Sequence, residues 1–138
     1  MSTFQIHILA ADDPFYEGEC ESVTVPTLDG SYGILAHHSN MIAAIVPGEL
    51  RYQIPGKPLQ LAAVSSGLVK VEDNDVLILV DAAERPEEID DNRARRAADR
   101  AREALLQKKS LEEYRSAQVM LSRALNRIRV KKSSHKYN

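Results

Sequence analysis

The stretch that decides the fold starts at Val76-Leu77-Ile78-Leu79-Val80, runs through Glu84-Arg85-Pro86 and ends at Ile89-Asp90-Asp91-Asn92-Arg93-Ala94. Its first five residues are an apolar run of strand length. After Pro86 the period changes: Ala94, Ala97, Ala101 and Ala104, joined by Leu105, recur at three- and four-residue steps along one side of a helix. The last glycine is Gly67 and the last proline is Pro86, so residues 87–138 contain neither strong helix breaker. A turn-rich β half followed by a helical half is the expected order.

Upstream, Phe4, Ile6 and Ile8 alternate with Gln5 and His7, and Leu50, Tyr52 and Ile54 alternate with Glu49, Arg51 and Gln53. Period two marks half-buried strands. Val23/Val25, Met41–Val46, Leu59–Val64 and Leu68–Val71 add short apolar segments. They are separated by turn clusters at Asp12-Asp13-Pro14, Leu28-Asp29-Gly30, Pro47-Gly48, Pro55-Gly56-Lys57-Pro58, Ser65-Ser66-Gly67 and Asp73-Asn74. This spacing favours an antiparallel sandwich or barrel. Downstream, Tyr114, Ala117, Leu121, Ala124, Leu125 and Ile128 form a second helical stripe. Lys108-Lys109 suits a helix carboxyl end, and Ser110-Leu111-Glu112-Glu113 is a capping-box pattern that restarts the helix. The tail reads as a hairpin that would span about 60 Å if straightened. Val119, Met120 and Val130 supply another apolar arc near Arg123 and Arg127, so which arc of the second helix meets which partner stays open.

The chain has 138 residues, 43% apolar and 28% charged, as expected of one compact domain with a small appendage. Its longest apolar runs, 41–46 and 76–80, fall far below the ~18–20 residues of a spanning helix. The amino end lacks the basic residue and apolar core of a signal peptide, so a cytosolic location is expected. Cys20 is the single cysteine, which excludes an internal disulfide and a cysteine-based zinc site. The net charge of −2 hides a division: residues 1–84 hold 12 acidic and 3 basic side chains, net −9, whereas 85–138 hold 8 and 15, net +7. Nine arginines lie between positions 93 and 129, and their planar forks suit two-point contact with phosphate or carboxylate. Arg93, Arg96 and Arg100 share a ~60° arc beside the alanine stripe, with Asp90 at its edge, while Arg95 can pair with Asp99 four residues on.

An acidic β half followed by a basic hairpin resembles the epsilon subunit of bacterial F-type ATP synthases over nearly the whole chain. The marks are Gly30-Ser31-Tyr32-Gly33-Ile34-Leu35 with His38 just after, Val64-Ser65-Ser66-Gly67-Leu68-Val69-Lys70-Val71, Val76-Leu77-Ile78-Leu79 and Ala82-Ala83-Glu84. Most specific is Ile89-Asp90-Asp91-Asn92-Arg93-Ala94, which looks like the family's I/L-D-x-x-R-A nucleotide motif. The resemblance implies an α+β protein: an antiparallel β-sandwich over residues 1–84 that docks on the gamma subunit and the c-ring, then an antiparallel two-helix hairpin over 85–138. It implies no catalytic turnover, and the chain indeed lacks a G-x-x-x-x-G-K-[ST] phosphate loop. The implied ligand is ATP, held as a regulatory molecule that is not hydrolysed and with no metal required, on Glu84, Ile89, Asp90, Arg93, Ala94, Arg100, Arg123 and Arg127. The hairpin would inhibit ATP hydrolysis by extending toward the alpha and beta catalytic subunits, and ATP would favour the compact form. The implied location is peripheral, on the cytoplasmic side of the bacterial membrane and without insertion. Two departures fall in one loop: Ala36-His37-His38 stands where the family has Pro-Gly-His, and Asn40 replaces a usual proline.

The rival from another class is a basic helical module that binds nucleic acid, since a tail of net +7 could follow a phosphate backbone. It lacks aromatics for stacking, with only Tyr114 and Tyr137 in residues 85–138, so no nucleic-acid partner is expected. A metal enzyme built on His37, His38 and the Asp12/Asp13 pair is weaker still, and these histidines read as loop residues. Cys20, flanked by Glu19 and Glu21, reads as a small buried residue, His7 as solvated, Glu72–Asp75 as a turn and Lys131–Lys136 as a frayed end.

Overall fold

The computed structural model describes residues 2–11, 13–107 and 110–137, the last two by backbone alone. Asp12 and Lys108-Lys109, which carry expectations stated above, lie outside the described residues. Ten strands form in order: β1 (Phe4–Ala10), β2 (Asp13–Cys20), β3 (Ser22–Thr27), β4 (Gly30–Leu35), β5 (Met41–Ile45), β6 (Gly48–Gln53), β7 (Gln60–Val64), β8 (Gly67–Glu72), β9 (Asp75–Val80) and β10 (Ala83–Glu84). They make two five-stranded sheets, β2-β1-β9-β8-β5 and β10-β7-β6-β3-β4. All pairings are antiparallel except β1 with β9, which is parallel. Every apolar segment expected to be a strand is one.

The inward positions are branched and large. Ile6, Ile8, Val23, Val25, Leu50, Val69 and Ile78 have no solvent exposure and join in one core. At roughly 1.5–3 kcal/mol per buried aliphatic side chain, these seven alone contribute on the order of 10–20 kcal/mol before chain entropy is subtracted. Gly67 has a steric role, because a Cβ there would run into the Leu79 carbonyl on β9. Cys20 is fully buried, and its thiol is pushed up to about 12 by burial and then by Glu21.

Three strands lacked a sequence signal, β2, β4 and the two-residue β10, and all three are sheet edges. An edge strand packs few side chains inward, so its alternation is faint. Five of the six residues of β4, all but Ile34, are exposed, and β2 carries Glu17 and Glu19. His7 is not merely solvated: its two ring nitrogens lie 3.5 Å from Glu17 and 3.4 Å from Asp75 across neighbouring strands.

The loop with the unusual residues is tied down. His37 adopts φ 64° and its amide donates to Asn74 Oδ1 at 2.7 Å, while the Asp73 amide donates to Asn40 Oδ1 at 3.0 Å. Asp73 and Asn74 both have positive φ between the paired residues Glu72 and Asp75, the conformation of a type I′ hairpin turn. Asn40 therefore supplies an acceptor that proline lacks.

After β10, a 3-10 turn (Pro86–Glu88) leads into α1 (Asp91–Leu106), and α2 (Leu111–Tyr137) returns antiparallel to it. Ser110 Oγ accepts from the Glu113 amide at 3.2 Å, as the capping pattern required. The alanine stripe is offset from the expected one: Ala94, Ala98 and Ala101 are buried, whereas Ala104 is exposed. Arg95 pairs backward with Asp91 at 3.3 Å, and Asp99 pairs instead with Arg102 at 3.4 Å. The basic end is not frayed. The α2 helix continues through it, Lys131 Nζ donates to the Pro86 carbonyl at 2.9 Å, and Ser134 is buried.

Candidate functional site

The second helix has two buried arcs, and they meet different partners. Ala117 and Ala124 are buried toward α1, with Leu121 and Ile128 partly covered beside them. About half a turn away, Asn126 and Val130 face the sandwich: Val130 packs with Ala63 and Ile89, and Asn126 donates to the carbonyls of Gly48 and Val64. Val119 and Met120 remain half exposed, and Tyr114 and Leu125 are exposed rather than central to the interface. The sandwich-facing arc carries Arg123 and Arg127 with it, because these lie within about 100° of Asn126 on the helix.

A cavity of about 150 Å³ lies where this arc crosses β7 and β10, lined by Pro47, Ala63, Val64, Glu84, Arg123 and Arg127 among others. Glu84 and Arg127 form its charged wall. Arg127 Nη2 donates to Glu84 Oε2 at 3.1 Å, and Nε lies 2.8 Å from Oε1, although its N–H is not aimed at that oxygen. One bond of the pair is aligned and the other contact is mainly Coulombic. With both side chains about 30% exposed, the pair is worth at most about 1 kcal/mol.

Of the residues expected at a nucleotide site, Glu84, Arg123 and Arg127 share this cavity. Ile89 is buried in the small core with Ala63 and Val130. Asp90 caps α1, its carboxylate accepting from the Arg93 amide at 3.1 Å, and Ala94 is buried between the helices. Arg93 and Arg100 are exposed on α1, do not line the cavity, and pair with no carboxylate among the described residues. The local reason is plain. Asp90 is the N-cap of α1 and serves the helix backbone, so among the described residues it does not pair with the Arg93 guanidinium.

Sequence reasoning missed Asn126, Ser65, Lys131 and Arg85. Ser65 Oγ accepts from the Ala82 amide at 2.8 Å, and Arg85 lies over the Phe15 ring at 4.1 Å while donating to the Phe15 carbonyl at 2.8 Å. Asn126, Val130 and Ser134 recur every four residues on one face, a signal hidden because two of the three are polar. His37 and His38 sit in the turn between β4 and β5, where His38 Nε2 meets the Tyr32 hydroxyl at 2.8 Å.

Fold and site define a two-part protein, a β-sandwich carrying a helical hairpin with an arginine-lined cavity at their junction. Comparison with known families is specific for both parts. The family model described as ATP synthase, Delta/Epsilon chain, beta-sandwich domain matches residues 3–86, and the one described as long alpha-helix domain matches residues 87–132. The ATP synthase epsilon chain of Ruminiclostridium cellulolyticum is 41% identical over 128 residues, 93% of this chain and 95% of that one. That of Shouchella clausii is 40% identical over 132 residues, 96% and 97% of the two chains. Among solved structures, a chain of the Euglena gracilis mitochondrial ATP synthase OSCP/F1/c-ring assembly shares the fold with a TM-score of 0.83 at 20% identity, covering 99% of this chain and 82% of that one. The chain belongs to the ATP synthase epsilon chain family, whose members are structural and regulatory subunits rather than catalysts. The nucleic-acid reading gives way to this assignment. No helix among the described residues is long and apolar enough to cross a membrane.

Proposed function

We propose that the chain is a central-stalk subunit of an F-type ATP synthase whose hairpin senses ATP, inhibiting hydrolysis when extended and releasing it when compact. The sandwich would dock on the gamma subunit and the c-ring, peripheral to the cytoplasmic face of the membrane. The extended helices would meet the alpha and beta subunits. The observation that carries the ATP reading is the convergence of Glu84, Arg123 and Arg127 on one cavity, although they come from a strand and two separate turns of α2.

Size bounds how a nucleotide could sit there. Pockets that bury most of a ligand run to roughly 300–1,000 Å³, so about 150 Å³ accepts part of ATP and not the whole. The Glu84 carboxylate would repel phosphate at that wall, whereas an amino group or a ribose hydroxyl suits it. Base or sugar would therefore enter beside Glu84, and the polyphosphate would lie outward, where the unpaired guanidiniums of Arg93 and Arg100 gain a counter-charge. No residue here supplies a phosphate loop, so the bound nucleotide would be held and not turned over.

Binding to the compact form alone shifts the equilibrium by only about 2.7 kcal/mol at 100 times the dissociation constant, so open and closed states must already be close in free energy. A calorimetric titration of the full chain with ATP tests the reading: Asp90→Ala, Arg93→Ala and Arg127→Ala should each weaken binding. Failure of the unaltered chain to bind ATP at millimolar concentration would end it. In the assembled enzyme, removal of residues 87–138 should raise ATP hydrolysis.

A further inference from the structure

Asn126 is 4% exposed, less than the other buried hydrophilic residues, Ser134 and Ser65. Its amide nitrogen donates to two carbonyls, Gly48 at 3.2 Å and Val64 at 3.3 Å, which belong to directly paired residues of β6 and β7. Both partners are acceptors, so the NH₂ must face them and the orientation of the amide is determined. The carboxamide oxygen is left buried and without a partner. Two bonds are gained and one acceptor is stranded, which makes Asn126 a poor source of stability and a good source of position.

The other directional contacts of α2 here, Arg127 with Glu84 and Lys131 Nζ with the Pro86 carbonyl at 2.9 Å, are made by long flexible side chains that define position only loosely. Toward α1 the buried residues of α2 are Ala117 and Ala124, and toward the sandwich Val130 and Ser134 repeat the Asn126 arc at four-residue steps. A slip of α2 by one turn would put Ser122 or Val130 opposite Gly48 and Val64 with the same face inward, and small side chains offer little steric objection. That slip of about 5.4 Å would carry Arg123 and Arg127 away from Glu84. Only a side chain with two donors on one nitrogen meets both carbonyls, and Ser122 and Val130 cannot.

We infer that Asn126 is the register key of the compact hairpin: a positioning residue that holds α2 at the one axial setting in which Arg123 and Arg127 share a cavity with Glu84. A single buried asparagine fixes register in helical coiled coils by the same logic, at a cost in stability. The nucleotide part of this inference rests on the proposed ATP site, while the register part stands alone.

The test uses the full chain with Cys20→Ala, spin labels at Ser31→Cys on β4 and Ser116→Cys on α2, and pulsed measurement of their separation. The parent should give one narrow distance. Asn126→Leu should split or broaden it by about one helical turn, ~5 Å, while small-angle scattering stays compact. ATP affinity should fall about tenfold, equivalent to 1.4 kcal/mol. Asn126→Ser, which perturbs packing less, should broaden the distance less and guards against a variant that fails to fold. A single narrow distance in both variants, identical to the parent's, would overturn the inference. If the parent itself binds no ATP, the nucleotide reading fails and the label distances still decide the register.

Discussion

The two buried interfaces of this chain are made of different materials. Inside the sandwich, Ile6, Ile8, Leu50 and Ile78 are completely enclosed by other large side chains. Between the helices the buried positions are Ala94, Ala98, Ala101, Ala117 and Ala124, and between α2 and the sandwich they are the small cluster of Ala63, Ile89 and Val130, with Asn126, Ser134 and a partly exposed ion pair. A buried methyl group is worth about 0.8 kcal/mol, against roughly 1.5–3 for a large aliphatic side chain. Per buried residue the sandwich is consequently held more firmly than the hairpin, the inequality that the proposed extension of the hairpin would require.

The comparison breaks most visibly in the core. Leu50→Ala should cost the sandwich about 2–5 kcal/mol, read as a lower denaturant midpoint. An equal loss from Ala94→Gly would contradict the division. Next, Ala101→Leu should force the helices apart at a cost of about 1–3 kcal/mol, seen as faster amide exchange in α1 with the melting of the sandwich unaltered. Alkali should discriminate the regions in the same sense. The Cys20 thiol is raised from 9 to about 12 and the Tyr52 phenol from 10 to about 12, both chiefly by burial, so the folded state favours their neutral forms. Their contribution is present in full below pH 9 and is lost between 9 and 12, as the unfolded chain ionises first. Thermal melting of the sandwich should fall across that window, and Cys20→Ala should recover part of the drop. The smallest effect expected is that of ATP on Cys20. At pH 8 its labelling by a thiol reagent requires the sandwich to open, so saturating ATP should leave the labelling rate unchanged while it slows amide exchange in α2.

Legibility followed the same division. Strands β1, β6 and β9 could be read because their inner residues are large and their outer ones differ. Strands β2 and β4 could not, since each has a partner on one side only and buries little. The capping function of Ser110 was readable from a four-residue window, whereas Asp90 stood in the sequence only as part of the nucleotide motif and its capping role emerged from the structure. Pairings that depend on rotation about a helix were not: Arg95 had Asp91 and Asp99 equally spaced on either side, and the structure chose Asp91. The helical phase of Arg123 and Arg127 was known, but which arc would meet the sandwich depended on Val130 finding Ala63 and Ile89, contacts far apart in the chain.

By itself, then, the order of residues determined where β gives way to α, because glycine, proline and periodicity are local properties. It also determined the family, through motifs that lie within single segments. The tertiary structure alone decided that Glu84 faces Arg127 across 43 residues and that Asn126 reaches the carbonyls of Gly48 and Val64. Such contacts are selected by the packing of whole surfaces, where many weak alternatives differ by less than the energy of any one residue's preference.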